Sequence, residues 1–148
     1  MKPLKIITGI FLLSLYSFIP LKVYAAFSFT APETTITKDT ELNANVTLSL
    51  LGEGNKTYYL EGAFKNQTSS NYFGLTWNDS TWTTYTASNF TPLKPVITDS
   101  TGNWNGIVKV KIDSASNLFI GDGTYTLRFK RFTTGGSSSW SDNTLTLN

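Results

Sequence analysis

Apolar positions along this chain fall mostly at every second residue. Leu42, Ala44, Val46, Leu48 and Leu50 alternate strictly with Glu41, Asn43, Asn45, Thr47 and Ser49. That is the period of a strand with one buried and one solvated face. Tyr58, Leu60, Gly62 and Phe64 share one face of a second strand, with Tyr59, Glu61, Ala63 and Lys65 on the other. Phe73, Leu75 and Trp77 predict a third on one face, and Gly106, Val108, Val110 and Ile112 a fourth. Tyr125, Leu127 and Phe129 alternate with Thr126, Arg128 and Lys130, and residues 144–147 alternate again. Shorter runs at 27–30, 34–37 and 82–85 read as further strands. Gly52-Glu53-Gly54-Asn55, Asn78-Asp79-Ser80 and residues 133–139 have turn and loop composition. Residues 88–95 read as irregular, because Pro92 and Pro95 hold them off helix. Short strands at regular spacing predict an all-β domain of two packed antiparallel sheets.

The first residues follow a different rule. Lys2 and Lys5 precede an apolar run over residues 6–19, shorter than the roughly 20 residues of a membrane span. Val23-Tyr24-Ala25 then sets small residues at the two positions that signal peptidase inspects. The pattern predicts a secretory signal over residues 1–25, cut between Ala25 and Ala26, and one domain over residues 26–148. Removing the signal changes the electrostatics. The chain carries 12 Lys and Arg against 10 Asp and Glu, but Lys2, Lys5 and Lys22 lie in the signal and every acid lies after it. The basic balance therefore makes no case for nucleic acid or, after cleavage, for a membrane partner. With no cysteine, the domain stands on apolar packing alone. The expected location is secreted or cell envelope, and the expected partner a protein or polysaccharide at the cell surface.

Gly121-Asp122-Gly123-Thr124-Tyr125-Thr126-Leu127 makes a glycine corner into a strand. It resembles the corner before strand F of immunoglobulin-like domains, where a Tyr stands two residues before an inward position. Leu127 occupies the place that Cys holds in antibody domains. With Phe119 upstream and Trp140-Ser141 after a Gly/Ser loop, the stretch looks still more like the end of a fibronectin type III module. This resemblance implies an immunoglobulin-like sandwich in which Gly121 and Gly123 make the turn and the Tyr125 hydroxyl caps it. A second resemblance spans most of the domain. Residues 58–65, 71–76 and 102–106, Gly123-Thr124-Tyr125 and Trp140-Ser141 are similar to a module in secreted proteins of uncultured small-genome bacteria, which often accompanies lamin-tail domains. It implies a bacterial extracellular setting and assigns no activity.

The chain has no His and no Cys, which removes the common nucleophile–base triads, thiolate catalysis and ordinary zinc sites. A glycosidase needs two carboxylates across one cleft, whereas the acids here are scattered singly. No enzymatic activity and no cofactor are expected. Asp113, Asn117 and Asp122 fall in one crossover and offer the oxygen ligands calcium takes, yet lack EF-hand spacing, and turn formation accounts for them as well. Trp82 and Tyr85 follow the Asn-Asp-Ser turn, with Trp77 just before it and Tyr72 upstream. Exposed rings of this kind suit stacking on sugars. Two function classes follow: a non-enzymatic secreted or cell-surface module for adhesion, display or protein interaction, and, as the alternative, a carbohydrate-binding module using these four rings. Asn45, Asn55, Asn66, Asn78 and Asn89 each head an Asn-x-Ser/Thr triplet. Arg128, Lys130 and Arg131 read as a solvated basic run, with Arg131 at a sheet edge discouraging strand pairing.

Overall fold

A computed structural model describes residues 25–86 and 89–148. The expected signal lies outside them except for Ala25, and Ala26 opens the first strand. The described residues hold ten strands: β1 (Ala26–Thr30), β2 (Leu42–Ser49), β3 (Thr57–Asn66), β4 (Leu75–Trp77), β5 (Trp82–Thr83), β6 (Lys94–Ile97), β7 (Asn103–Lys111), β8 (Tyr125–Thr133), β9 (Ser138–Trp140) and β10 (Leu145–Leu147). One sheet runs β1-β2-β7-β4-β5 and the other β10-β8-β3-β6, with β9 also pairing β8. The described residues form an all-β, two-sheet antiparallel sandwich.

Alternation explains the core. Leu42, Ala44, Val46 and Leu48 of β2 and Val108 and Val110 of β7 face Leu60, Phe64, Leu127 and Phe129 of the second sheet, all essentially buried. Phe29 meets Phe129 with ring centroids 4.9 Å apart, tying β1 to β8 across the interior. Gly62 sits at a close approach of the two sheets: a Cβ there would overlap Val110 and lie 3.0 Å from a ring carbon of Phe129. Only glycine fits that approach.

Both open sides of the sandwich are zipped. On one, Phe73 exchanges backbone hydrogen bonds with Phe64 at 2.7 and 2.9 Å, and Gly62 N–H donates to the Thr76 hydroxyl at 2.9 Å. The chain thus leaves the second sheet at Phe73 and joins the first at Leu75. On the other side, Phe27 N–H donates to the Asp142 carboxylate at 2.9 Å and Phe29 N–H to Asn143 Oδ1 at 3.1 Å, while Asn143 Nδ2 donates to Phe29 O at 2.7 Å. Side chains here stand in for a strand and satisfy the β1 edge.

The transfer at Phe73 corrects the expected alternation. Phe73 is a core residue, Gly74 turns the chain at φ 139°, and Thr76 then points inward, leaving Leu75 and Trp77 outside. Residues 34–37 form no strand, although Ile36 N–H donates to Asn148 O and Asn148 N–H to Thr34 O. Two strands lie in stretches expected to be irregular. β6 contains Pro95, which an edge strand tolerates because no ladder bond is lost on its free side. β9 falls in the Ser-rich loop and owes its pairing to the register of β8. Arg131 is not at an edge: β8 is flanked by β3 on one side and by β9 and β10 on the other.

Candidate functional site

The outer face of the second sheet collects aromatic and cationic side chains. Tyr59, Glu61, Ala63 and Lys65 of β3 point outward, opposite Phe132, Lys130, Arg128 and Thr126 of β8, and Lys130 in turn opposes Trp140 of β9. Pairing of three strands brings these sequence-distant residues together. Tyr72 and Trp140 lie with ring centroids 4.4 Å apart. The Lys65 ammonium sits 5.7 Å from the Tyr72 ring, and the Arg128 guanidinium 5.5 Å from that of Trp140. Arg128 is held in place by donating Nε and Nη2 to Ser141 O at 3.1 and 2.9 Å. Lys130 is caged, its Nζ 5.1, 4.9 and 5.2 Å from the rings of Tyr85, Phe132 and Trp140. Cation–ring contacts of this kind each stabilise by about 0.5–1 kcal/mol where partly exposed.

Beneath this row lies Glu61, only 7% exposed. The segment after β5 covers it: Tyr85 stacks on Phe132 at 5.0 Å, and Phe90 stacks on the same ring at 5.5 Å and meets Tyr59 edge-on at 5.4 Å. Burial pushes the Glu61 carboxyl up to about 7, against the Lys130 charge and a backbone N–H of Tyr85, which both favour the carboxylate.

The four expected ligand residues do not form one site. Trp77 and Trp82 are a cross-strand pair of β4 and β5, 5.5 Å apart, with the Lys111 ammonium 4.3 Å from the Trp82 ring. Thr76 points into the core, so this pair lies on the outer face of the first sheet. Tyr85 and Tyr72 belong to the outer face of the second, linked through Lys130 and Trp140. The division follows from the chain changing sheets between residues 73 and 75, so the short span from Tyr72 to Tyr85 crosses the sandwich. Sequence reading missed Phe90, Phe132, Lys130 and Glu61 as members of the second group. Phe132 continues the outward alternation of Arg128 and Lys130 by one step, which was the available signal.

The remaining candidates take structural positions. At the corner, the buried Tyr125 hydroxyl accepts from Ile120 N–H at 3.2 Å and donates to Gly121 O at 2.7 Å, and Gly121 and Gly123 have φ of 81° and 156°. Asp113 Oδ1 accepts from Ala115 N–H at 3.1 Å, a local turn bond, while Asn117 and Asp122 are exposed. Among the described residues no group of three His, Cys, Asp or Glu side chains is placed to hold a metal ion. Arg131 leaves the basic run and turns to the other face, its guanidinium 5.2 Å from the Tyr58 ring. The Tyr58 hydroxyl donates to Glu53 at 3.1 Å, and burial followed by that carboxylate raises its pKa. Among the described residues no helix is long and apolar enough to cross a membrane. In comparisons with known proteins, no family model and no curated sequence matches the chain.

Proposed function

We propose that this protein is a secreted or cell-surface, non-enzymatic β-sandwich module of immunoglobulin-like or fibronectin type III-like character, acting in adhesion, display or protein interaction. One observation carries the reading: the row Lys65, Tyr72, Trp140, Arg128 and Lys130 on the outer face of the second sheet. Tyr, Trp and Arg are the residues that dominate protein interfaces, because they bring large contact area with few bonds to immobilise. The capped corner at Tyr125 supports the immunoglobulin-like part of the reading. A photo-crosslinking residue placed at Tyr72, on cells that secrete the protein, is expected to capture a partner. The same residue at Asn45, on the outer face of the first sheet, is expected to capture none. Equal capture from both positions would refute the assignment of the surface.

The paired rings of Trp77 and Trp82 favour a second reading, a carbohydrate-binding module using the outer face of the first sheet. Titration with soluble polysaccharides would then change tryptophan fluorescence saturably, and Trp82→Ala would abolish the change in a protein that still unfolds cooperatively, its melting temperature lowered by a few degrees for the lost Trp77 and Lys111 contacts.

A further inference from the structure

Sheet pairing leaves one stretch of backbone without a neighbour. β7 pairs with β2 from Asn103 to Val110, but β4 meets it only at Val110 and Lys111. β4 ends early because Asp79 turns the chain at φ 82° and Asn78 Oδ1 accepts the N–H groups of Ser80 and Thr81 at 3.0 and 2.9 Å. The chain then doubles back into β5, and among the described residues no strand lines β7 from Asn103 to Ile107 on that side. The ladder fixes which groups face the gap. Leu50 N–H donates to Gly102 O at 2.9 Å, and hydrogen-bonded pairs recur at every second residue of an antiparallel ladder. Trp104, Gly106 and Val108 therefore turn their backbone groups to β2, while Asn103, Asn105 and Ile107 turn theirs to the gap. Asn103 is occupied there: its N–H donates to Asp99 Oδ1 at 3.0 Å and its O accepts from Asp99 N–H at 2.8 Å. The N–H and C=O of Asn105 and Ile107 are the open rungs.

Natural sheet edges are blunted by proline, by charge or by a bulge. The free edge of β6 carries Pro95. The open stretch of β7 has no proline, and Ile107 in the gap is 58% exposed on the outer face. On the inward face the half-buried Trp104 indole covers Gly106, its ring carbon Cζ2 2.6 Å from where a Cβ would stand. A strand added here sets alternate side chains against Ile107 outside and Trp104 inside, both apolar. Its two ends meet opposite charges, the exposed Lys109 at one and the exposed Asp99 at the other. Neither makes an ion pair among the described residues.

We infer that the β7 edge at Asn105 and Ile107 takes up an extended segment of a partner protein as an added antiparallel strand, apolar at its centre, acidic at its N-terminal end and basic at its C-terminal end. Donors and acceptors alternating along an edge are matched by another strand's backbone, and the side chains flanking them set the sequence preference. The added strand continues the line of β4, which is antiparallel to β7. It then runs from Lys109 toward Asp99, which places its acid and its base. The inference goes beyond the proposed aromatic row and shares no residue with it, so either can fail alone. The strand would lie two strand spacings, about 10 Å, from Asn45 on β2.

Amide hydrogen exchange read by NMR on the purified protein tests this. In the protein alone, the Asn105 and Ile107 amides are expected to exchange at least about tenfold faster than those of Trp104, Gly106 and Val108. The probe is the peptide acetyl-Glu-Ile-Val-Thr-Val-Lys-amide, in which Ile lies opposite Ile107 and Thr opposite Asn105. At saturation it is expected to slow both amides by roughly tenfold or more, with a roughly millimolar dissociation constant. N-methylation of its Thr, whose N–H points at β7, is expected to abolish the slowing. N-methylation of the Val before it, whose N–H points away, is expected to leave it. Ile107→Pro, which removes an N–H that β2 does not use, is expected to abolish binding in a chain that still unfolds cooperatively. The two N-methyl peptides keep the test decisive should that variant fail to fold. Slow exchange of Asn105 and Ile107 in the protein alone overturns the inference, as does a peptide that slows neither. Equal binding by the two N-methyl peptides, or by a peptide with its terminal Glu and Lys exchanged, overturns it too. Protection that rises with protein concentration and needs no peptide overturns it in favour of a second copy on the edge. Peptide shifts confined to Tyr72 and Trp140 overturn the edge while upholding the aromatic row.

Discussion

Glu61→Gln removes a charge from beneath the aromatic row while keeping the shape of the side chain. The wild-type carboxyl titrates near 7 in the folded protein, against 4.5 for an ordinary Glu. Between those two pH values the folded chain keeps a proton that the unfolded chain has released. Stability from this group is therefore complete below pH 4.5, falls as pH rises toward 7, and is flat above it. The full shift corresponds to about 3 kcal/mol, at about 1.4 kcal/mol per pH unit. Because the raised value is net of the Lys130 attraction and the Tyr85 N–H, it already includes what the carboxylate gains from its neighbours. Gln keeps an oxygen that can accept from Tyr85 N–H and carries no charge to desolvate. Urea unfolding measured from pH 4 to 9 should show wild-type stability falling across the window and the variant following a flatter course. At pH 8 the variant should be more stable by up to about 3 kcal/mol, or about 10 °C in melting temperature for a domain of this size. Equal slopes for the two proteins, or a less stable variant at pH 8, would refute the claim that Glu61 is buried at a cost.

Three further outcomes follow from the packing and the hydrogen bonds. Gly62→Ala should destabilise by about 2 kcal/mol or more in chemical denaturation, since its methyl would overlap Val110 and press on Phe129. Tyr125→Phe should lower stability by about 1–2 kcal/mol, because Ile120 N–H and Gly121 O lose their buried partner. In a eukaryotic secretory host, mass spectrometry should find glycan on the exposed Asn45 and Asn55 but none on Asn66. That residue is buried, and its Nδ2 already donates to Leu118 O at 2.7 Å.

What the sequence made legible is what neighbouring residues decide between themselves. Alternation in β2, β3, β7 and β8 is a local signal, and each inward set lies in the core as expected. Faces were lost where a single residue changes the chain's partner. Gly74 moves residues 75–77 from one sheet to the other, so Phe73 goes in, Trp77 goes out, and the expected group of Tyr72, Trp77, Trp82 and Tyr85 divides between two surfaces. Composition marked Pro95 and the Ser run before Trp140 as breaks, yet an edge position excuses the proline and the ladder of β8 recruits the serines. The aromatic row and Glu61 depend on register over distances that no local window spans: Lys130 meets Glu61, 69 positions earlier, on one side and Trp140 on the other. A one-residue slip of β3 on β8 would turn Glu61 into the core and Leu60 out to the solvent-side face. The buried carboxylate therefore follows from the same register that fills the core, because the inward fit of Leu60, Gly62 and Phe64 leaves Glu61 no other place.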